Sequence, residues 1–235
     1  MTDRDLIVNA DDFGRCRLIN AGIRRSHEEG IVTSASLMVR WEGAGEAAAY
    51  AREHRSLAVG LHLDLGEWAY RRSRWEATYE VVPLDDAAAV EREALSQLGA
   101  FRRLLGRYPT HIDSHQHVHG SDPVRSVARE IAGELNVPLR GEAGGIRYCG
   151  DFYGKTGEGE PLHEAVTPER LMEILIGLPP GPTELACHPG DGAETDPIYD
   201  EERRLEVAAL CDPRVRGTLE ELGVSLRSFA ELDPG

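Results

Sequence analysis

Lysine is all but missing. The 235 residues carry 26 cationic side chains, and Lys155 alone among them is not an arginine. That leaves Schiff-base or carbamylated-lysine chemistry a single candidate. Positive charge as a whole is also scarce: against 41 Asp and Glu the formal charge is −15. So acidic a chain lacks the basic stripe that neutralises phosphates, and nucleic acid is not an expected partner. The four cysteines, Cys16, Cys149, Cys187 and Cys211, are far apart and form no C-x-x-C pair. They read as reduced thiols, not as a zinc knuckle or a disulfide frame. No stretch approaches the ~18 apolar residues of a membrane span. The opening MTDRDLIVNADD lacks the apolar core of a signal peptide, so the expectation is a cytoplasmic protein with no membrane partner.

Familiar catalytic devices are absent too. There is no G-x-S-x-G elbow to anchor a serine triad. GDFYGKT at 150 to 156 resembles a phosphate loop, but it has three residues between its glycines where four are needed, and no apolar helix follows Lys155.

What is present is a regular alternation. DLIVN at 5 to 9 is a short apolar run ending in polar residues, as a buried parallel strand does. Helical spacing follows, with Ile19, Ile23 and Ile31, closed by Gly30. TSASLMV reads as a strand, EGAGEAAAYAREH as a helix and SLAVGLHLDL as a strand. After a Trp- and Arg-rich interval at 66 to 83 come the helix AAAVEREALSQLGAFRRLLG and a strand rich in histidine. SDPVRSVAREIAGEL offers Ser121 or Asp122 as an N-cap and a proline in its first turn. VPLR, PERLMEILIGL, TELACHPG and ERRLEVAALC continue strand, helix, strand, helix to the closing GVSLRSF. Residues 141 to 166 read as a long loop near the site, including the 148 to 166 stretch. With no linker or repeat, residues 1 to 235 form one α/β domain of mostly parallel strands, either a barrel or an open doubly wound sheet. Both place functional residues at the carboxyl ends of strands.

THIDSHQHVH, 110 to 119, holds four of the nine histidines. His111, His115, His117 and His119, with Asp113 between, fall at period two and so on one face of an extended segment. Stacked imidazoles repel when protonated, unless a cation or a wet cleft uses them, so the stretch points to a metal or catalytic cleft. The strand-end rule supports this. LIVNADD ends on Asp11 and Asp12, AVGLHLD carries His62 and Asp64, THIDSH ends on His115, and TELACH ends on His188. Adjacent aspartates on a strand face opposite ways, whereas on a turn both reach one centre. One then binds a metal and the other accepts a proton from the attacking water. Gly14 permits the tight turn. Arg71, Arg72 and Arg74 beside Trp68 and Trp75 form a basic patch that reads equally as a solvated loop or a ligand-facing lid.

NADDFG at 9 to 14, GLHLDL at 60 to 65, THIDSHQHVH at 110 to 119 and ACHPG at 186 to 190 resemble the signature blocks of the YdjC family, the YdjC/ChbG-type carbohydrate deacetylases. The resemblance runs nearly end to end. It implies a distorted (β/α) barrel like that of the polysaccharide deacetylases, and a small carbohydrate substrate whose N-acetyl group is hydrolysed to acetate. Carried over, Asp12, His62 and His115 match the ligands of one divalent ion, Asp11 the base and His188 the acid, acting as imidazolium. For one or two of His111, Asp113, His117 and His119 the reading suggests a role in orienting His115. Mixed N/O ligands suit zinc, manganese or cobalt, while the resemblance admits magnesium. A rival is an amidohydrolase or phosphoesterase barrel using a His-x-His pair, although such pairs usually lie on the first strand. A homodimer is the commonest assembly for such an enzyme.

Overall fold

A computed structural model describes residues 4–142, 145–192 and 199–231. The predicted alternation is present: β1 (Arg4–Phe13), α1 (Arg17–Glu28), β2 (Ser34–Leu37), α2 (Ala44–Glu53) and β3 (Ala58–Leu63). An antiparallel pair follows, β4 (Gly66–Arg71) and β5 (Arg74–Glu80), then α3 (Ala87–Leu105), β6 (Ile112–Ser114) and α4 (Val124–Leu135). The chain continues through β7 (Arg147–Cys149), α5 (Pro168–Ile176), β8 (Gly181–Cys187), α6 (Glu201–Leu210), α7 (Pro213–Leu222) and β9 (Val224–Arg227).

The main sheet is parallel, in the order β6-β3-β2-β1-β8-β7. Its centre is distorted. Along one edge of β1, Arg4–Ala10 pair with β8; along the other, Arg4–Ile7 pair with β9 and only Asn9 onward pairs with β2. The last strand therefore lies along the lower half of β1, below the point where β2 begins. The sheet curls into a barrel with an open seam: among the described residues no ladder joins β6 to β7, and Leu139 extends the β6 side by one bridge to Ile112.

Alternation along β1 explains what fills the inside. Leu6, Val8 and Ala10 join the large core cluster beneath the helices. Ile7 faces the other way and packs with Ala58 and Phe229 at the barrel floor. Above it Asn9 bonds Ser36, and Asp11 tops the column. The interior thus runs from an apolar plug to a polar mouth at the strands' carboxyl ends, as barrel layers do. Gly60 matters here, because a Cβ would overlap the buried His111 ring that stacks on Phe229.

Helix ends follow sequence logic in α3, where Asp86 accepts from the Ala89 N–H, and in α5, where Thr167 caps ahead of Pro168. The N-cap expected at Ser121 or Asp122 is not formed. Pro123 occupies that position in α4, and Asp122 instead accepts from the Ser126 hydroxyl at 2.7 Å. The Trp- and Arg-rich interval forms the β4–β5 hairpin, with Arg72 and Ser73 at its turn. VPLR adds to the sheet only the Leu139 bridge, and the 148 to 166 stretch includes the end of β7 and a 3-10 turn at His163–Val166. No helix among the described residues is long and apolar enough to cross a membrane.

Candidate active site

All five residues expected at the site meet at the barrel mouth. Asp12, His62 and His115 each offer a ligand atom, and the three atoms lie within 4.8 Å of one another. Local backbone makes this arrangement. Both aspartates lie on β1, which should turn them apart, but the β1–β2 register shifts between Ala10 and Phe13, and Asp12 takes φ +65°. This bulge, with a left-handed residue, swings Asp12 onto the same side as Asp11. It is a costly conformation placed at the functional centre.

The histidine segment departs from its predicted period. Only Ile112–Ser114 is extended; His115 opens a 3-10 turn in which Gln116 and His117 have φ of 51° and 54°. The four imidazoles therefore separate. His115 enters the cluster. His111 goes below, where its Nε2 meets the Ser36 hydroxyl at 3.0 Å. His117 Nε2 faces the Tyr148 hydroxyl at 3.0 Å, and His119 sits between Ser114 Oγ and the Arg140 carbonyl. Neither His-x-His pair is assembled as a ligand pair, which removes the geometry the rival barrel reading required.

None of the neighbouring histidines orients His115, contrary to expectation, and Asp113 serves a different ring. Asp113 Oδ1 accepts from His62 Nδ1 at 2.8 Å, which leaves His62 Nε2 facing Asp12. The carboxylate near His115 is Glu67 of β4, 3.6 Å from Nε2 and held by Arg15 at 2.7 Å. Carboxylates behind both imidazoles fix their rings and raise their basicity.

Two arginines outside every sequence motif hold the aspartates. Arg140 donates to both oxygens of Asp11, each at 2.7 Å, and also reaches Asp113 and Glu184 at 2.8 Å. Arg203 of α6 reaches Asp12 Oδ2 at 2.6 Å and the His188 carbonyl at 3.1 Å. Burial pushes these carboxyls up, but the guanidiniums outweigh it: Asp11 is held below the usual range beside Arg140, and Asp12 well below it beside Arg203 and His115. Burial pushes His62 down, yet Asp113 and its neighbouring carboxylates hold it up at about 10. His188 lies 3.8 Å from Asp11 Oδ2 through Nε2. Burial outweighs the nearby carboxylates there and pushes His188 down to about 4.

The residues fit a divalent ion. Asp12 Oδ1 is buried, 3.1 Å from His115 Nδ1 and 3.6 Å from His62 Nε2, yet it makes no hydrogen bond among the described residues. A buried carboxylate oxygen left without a hydrogen bond between two imidazole nitrogens is an expensive arrangement for a protein alone and a suitable one for a cation. One oxygen and two nitrogens leave positions open for water and substrate. Around this centre lies a cleft of about 770 Å³, walled by the β4–β5 hairpin on one side and by Tyr148, Tyr153 and Lys155 on the other.

The family model described as YdjC-like protein matches residues 5–221. The chain belongs to the YdjC-like family. It is 33% identical to a carbohydrate deacetylase of Brevibacillus brevis over 97% of this chain and 99% of that protein. It is 30% identical to a chitooligosaccharide deacetylase of Serratia marcescens over 97% of this chain and 98% of the relative. Among solved structures, an Enterococcus faecalis protein named for a suspected role in cellobiose-phosphate cleavage superposes with a TM-score of 0.77 at 25% identity, covering 99% of this chain and all of the other. A polysaccharide deacetylase of Bacillus cereus shares the fold alone, with a TM-score of 0.58 at 13% identity over 97% and 93% of the two chains. The distorted barrel expected from the sequence motifs is the observed fold.

Proposed function

We propose that this YdjC-like chain is a carbohydrate deacetylase that hydrolyses the N-acetyl amide of an N-acetylated sugar and releases acetate, using a divalent ion held by Asp12, His62 and His115. The observation that carries the reading is the buried Asp12 Oδ1 without a hydrogen bond, set between two imidazole nitrogens and next to the Asp11–His188 pair. The names of its relatives support the sugar class.

An acetamide resists hydrolysis, so the reaction needs an activated nucleophile, a stabilised oxyanion and a proton for the amine. Zinc, manganese, cobalt or magnesium, bound at these three ligands, would supply Lewis acidity toward the water and the acetyl oxygen. The chain's own groups do the rest. Asp11, kept ionised by Arg140, accepts the proton of the attacking water at Oδ2. His188 rests neutral with Nε2 3.8 Å from that oxygen, so the proton taken by Asp11 passes to His188 and from it to the leaving nitrogen. The proton count closes: one leaves water and one reaches the amine.

The test is acetate release from N-acetylglucosamine and its oligomers by chelator-stripped protein, with each of the four metals restored in turn. Metal-dependent release that falls about a hundredfold or more in Asp11→Asn, with metal still bound, is the expected result. Wild-type rates in Asp11→Asn would remove the base, and no release with metal bound would remove the deacetylase reading.

A further inference from the structure

Beyond Glu67 at its base, the β4–β5 hairpin has no role in the chemistry above, yet it forms a wall of the cleft. Its register places Tyr70 directly opposite Trp75, and the two rings meet edge to face at 5.6 Å between centroids. Both line the cleft, and Trp75 is 57% exposed. The cross-strand contact with Tyr70 supports the hairpin and still leaves much of the indole open to the cleft. Beside it Arg71 lines the same cleft, and among the described residues its guanidinium has no carboxylate partner, unlike Arg74, which bonds Glu76 at 2.6 Å.

The hairpin is fixed relative to the reacting centre. Gln116, immediately after His115, accepts from the Trp68 N–H and donates to the Trp68 carbonyl, both at 2.8 Å. The left-handed backbone at Gln116 aims that amide at the strand. At the hairpin's base Glu67 joins Arg15 and approaches His115. Two links therefore tie the hairpin to the turn that carries a ligand of the centre.

We infer that the hairpin is a second sugar subsite, in which the Trp75 indole, braced edge to face by Tyr70, stacks on the apolar face of a pyranose next to the reacting unit and Arg71 donates to its hydroxyls. A pyranose presents C–H groups on its faces and hydroxyls round its rim, which matches an exposed aromatic face bordered by a planar donor. The substrate class is accordingly an oligosaccharide of two or more units. This rests on the carbohydrate reading above and adds its length preference.

The experiment compares wild type, Trp75→Ala and Trp75→Tyr, metal-loaded, on N-acetylglucosamine and its trimer. It records kcat/KM for acetate release and, separately, trimer binding by calorimetry. The expected result is that Trp75→Ala lowers the trimer-to-monomer ratio of kcat/KM about tenfold, with matching loss of trimer binding, and that Trp75→Tyr restores much of it. A ratio unchanged in Trp75→Ala overturns the subsite, as does equal loss on both substrates. If wild type turns over no sugar but binds the trimer through Trp75, the reaction falls and the subsite stands. If it neither turns over nor binds the trimer, the subsite falls as well.

Discussion

Arg140 grips both carboxylate oxygens of Asp11 across 129 residues of sequence, in a place where both side chains are almost wholly buried. Its fork also meets Asp113 and Glu184. Removing one cation therefore leaves three buried carboxylates facing each other. Arg140→Met should cost about 3–5 kcal/mol in chemical denaturation, the usual penalty for an uncompensated buried charge. Arg140→Lys should recover part of it, because a point charge cannot make the two parallel bonds. Stability equal to wild type in Arg140→Met would mean the carboxylates take up protons without cost.

Asp113 acts through His62. Asp113→Ala removes the acceptor for Nδ1–H and frees the ring to rotate or change tautomer. Metal affinity should fall about 10–100-fold while Asp12 and His115 remain. Calorimetric titration of the stripped variant with zinc checks this, and an unchanged Kd would show that the ring is held by packing alone.

Metal uptake should release protons. Without the ion His62 is held at about 10 and His115 is also raised, whereas a ligand imidazole must be neutral. The sign follows: below about pH 10 the proton competes with the metal, so affinity rises as pH rises toward that value. Zinc titrations in two buffers of different ionisation enthalpy at pH 7 should report about one proton or more released. Zero release would show the imidazoles are already neutral. The same raised pKa means that, in the stripped protein, His62 contributes stability fully present below its unfolded value near 6.5 and lost as pH passes about 10.

Gly22 of α1 lies against the backbone of Gly190, in the loop carrying His188, and a Cβ at Gly22 would overlap it. Alanine gains about 1 kcal/mol of helix propensity. The overlap is with backbone on a rigid element and should outweigh that gain, giving a net loss of about 1–3 kcal/mol. Denaturant titration of Gly22→Ala measures the sign directly; a more stable variant would show that the 190 loop yields freely.

Much of this was legible in the sequence because strand ends announce themselves. An apolar run that stops on Asp12, His62, His115 or His188 identifies both the strand and the direction of its carboxyl end. Arg203 and Glu67 carried no such signal, and although Arg140 closes the short run VPLR, an arginine there points to no ligand; the separations of Arg140 from Asp11 and of Arg203 from Asp12, 129 and 191 residues, leave no local pattern. The histidine segment misled in a different way. Period two implies one face only while the chain stays extended, and the left-handed pair Gln116 and His117 ends that after Ser114. The hairpin did carry a pattern, since Trp75, Ala77 and Tyr79 alternate with Arg74, Glu76, Thr78 and Glu80, but the cluster Arg71, Arg72 and Arg74 at its turn reads as a basic patch and hides the strand pair.

The open seam of the barrel has a consequence for how this molecule can change. Between β6 and β7, where backbone ladders would otherwise close the cylinder, a single guanidinium spans carboxylates from β1, β6 and β8. Arg140 is a keystone set in the same masonry as the proposed base. Substitutions that tune the acidity of Asp11 also alter what holds the strands' upper ends together, so selection on rate and selection on folding act here on one set of bonds.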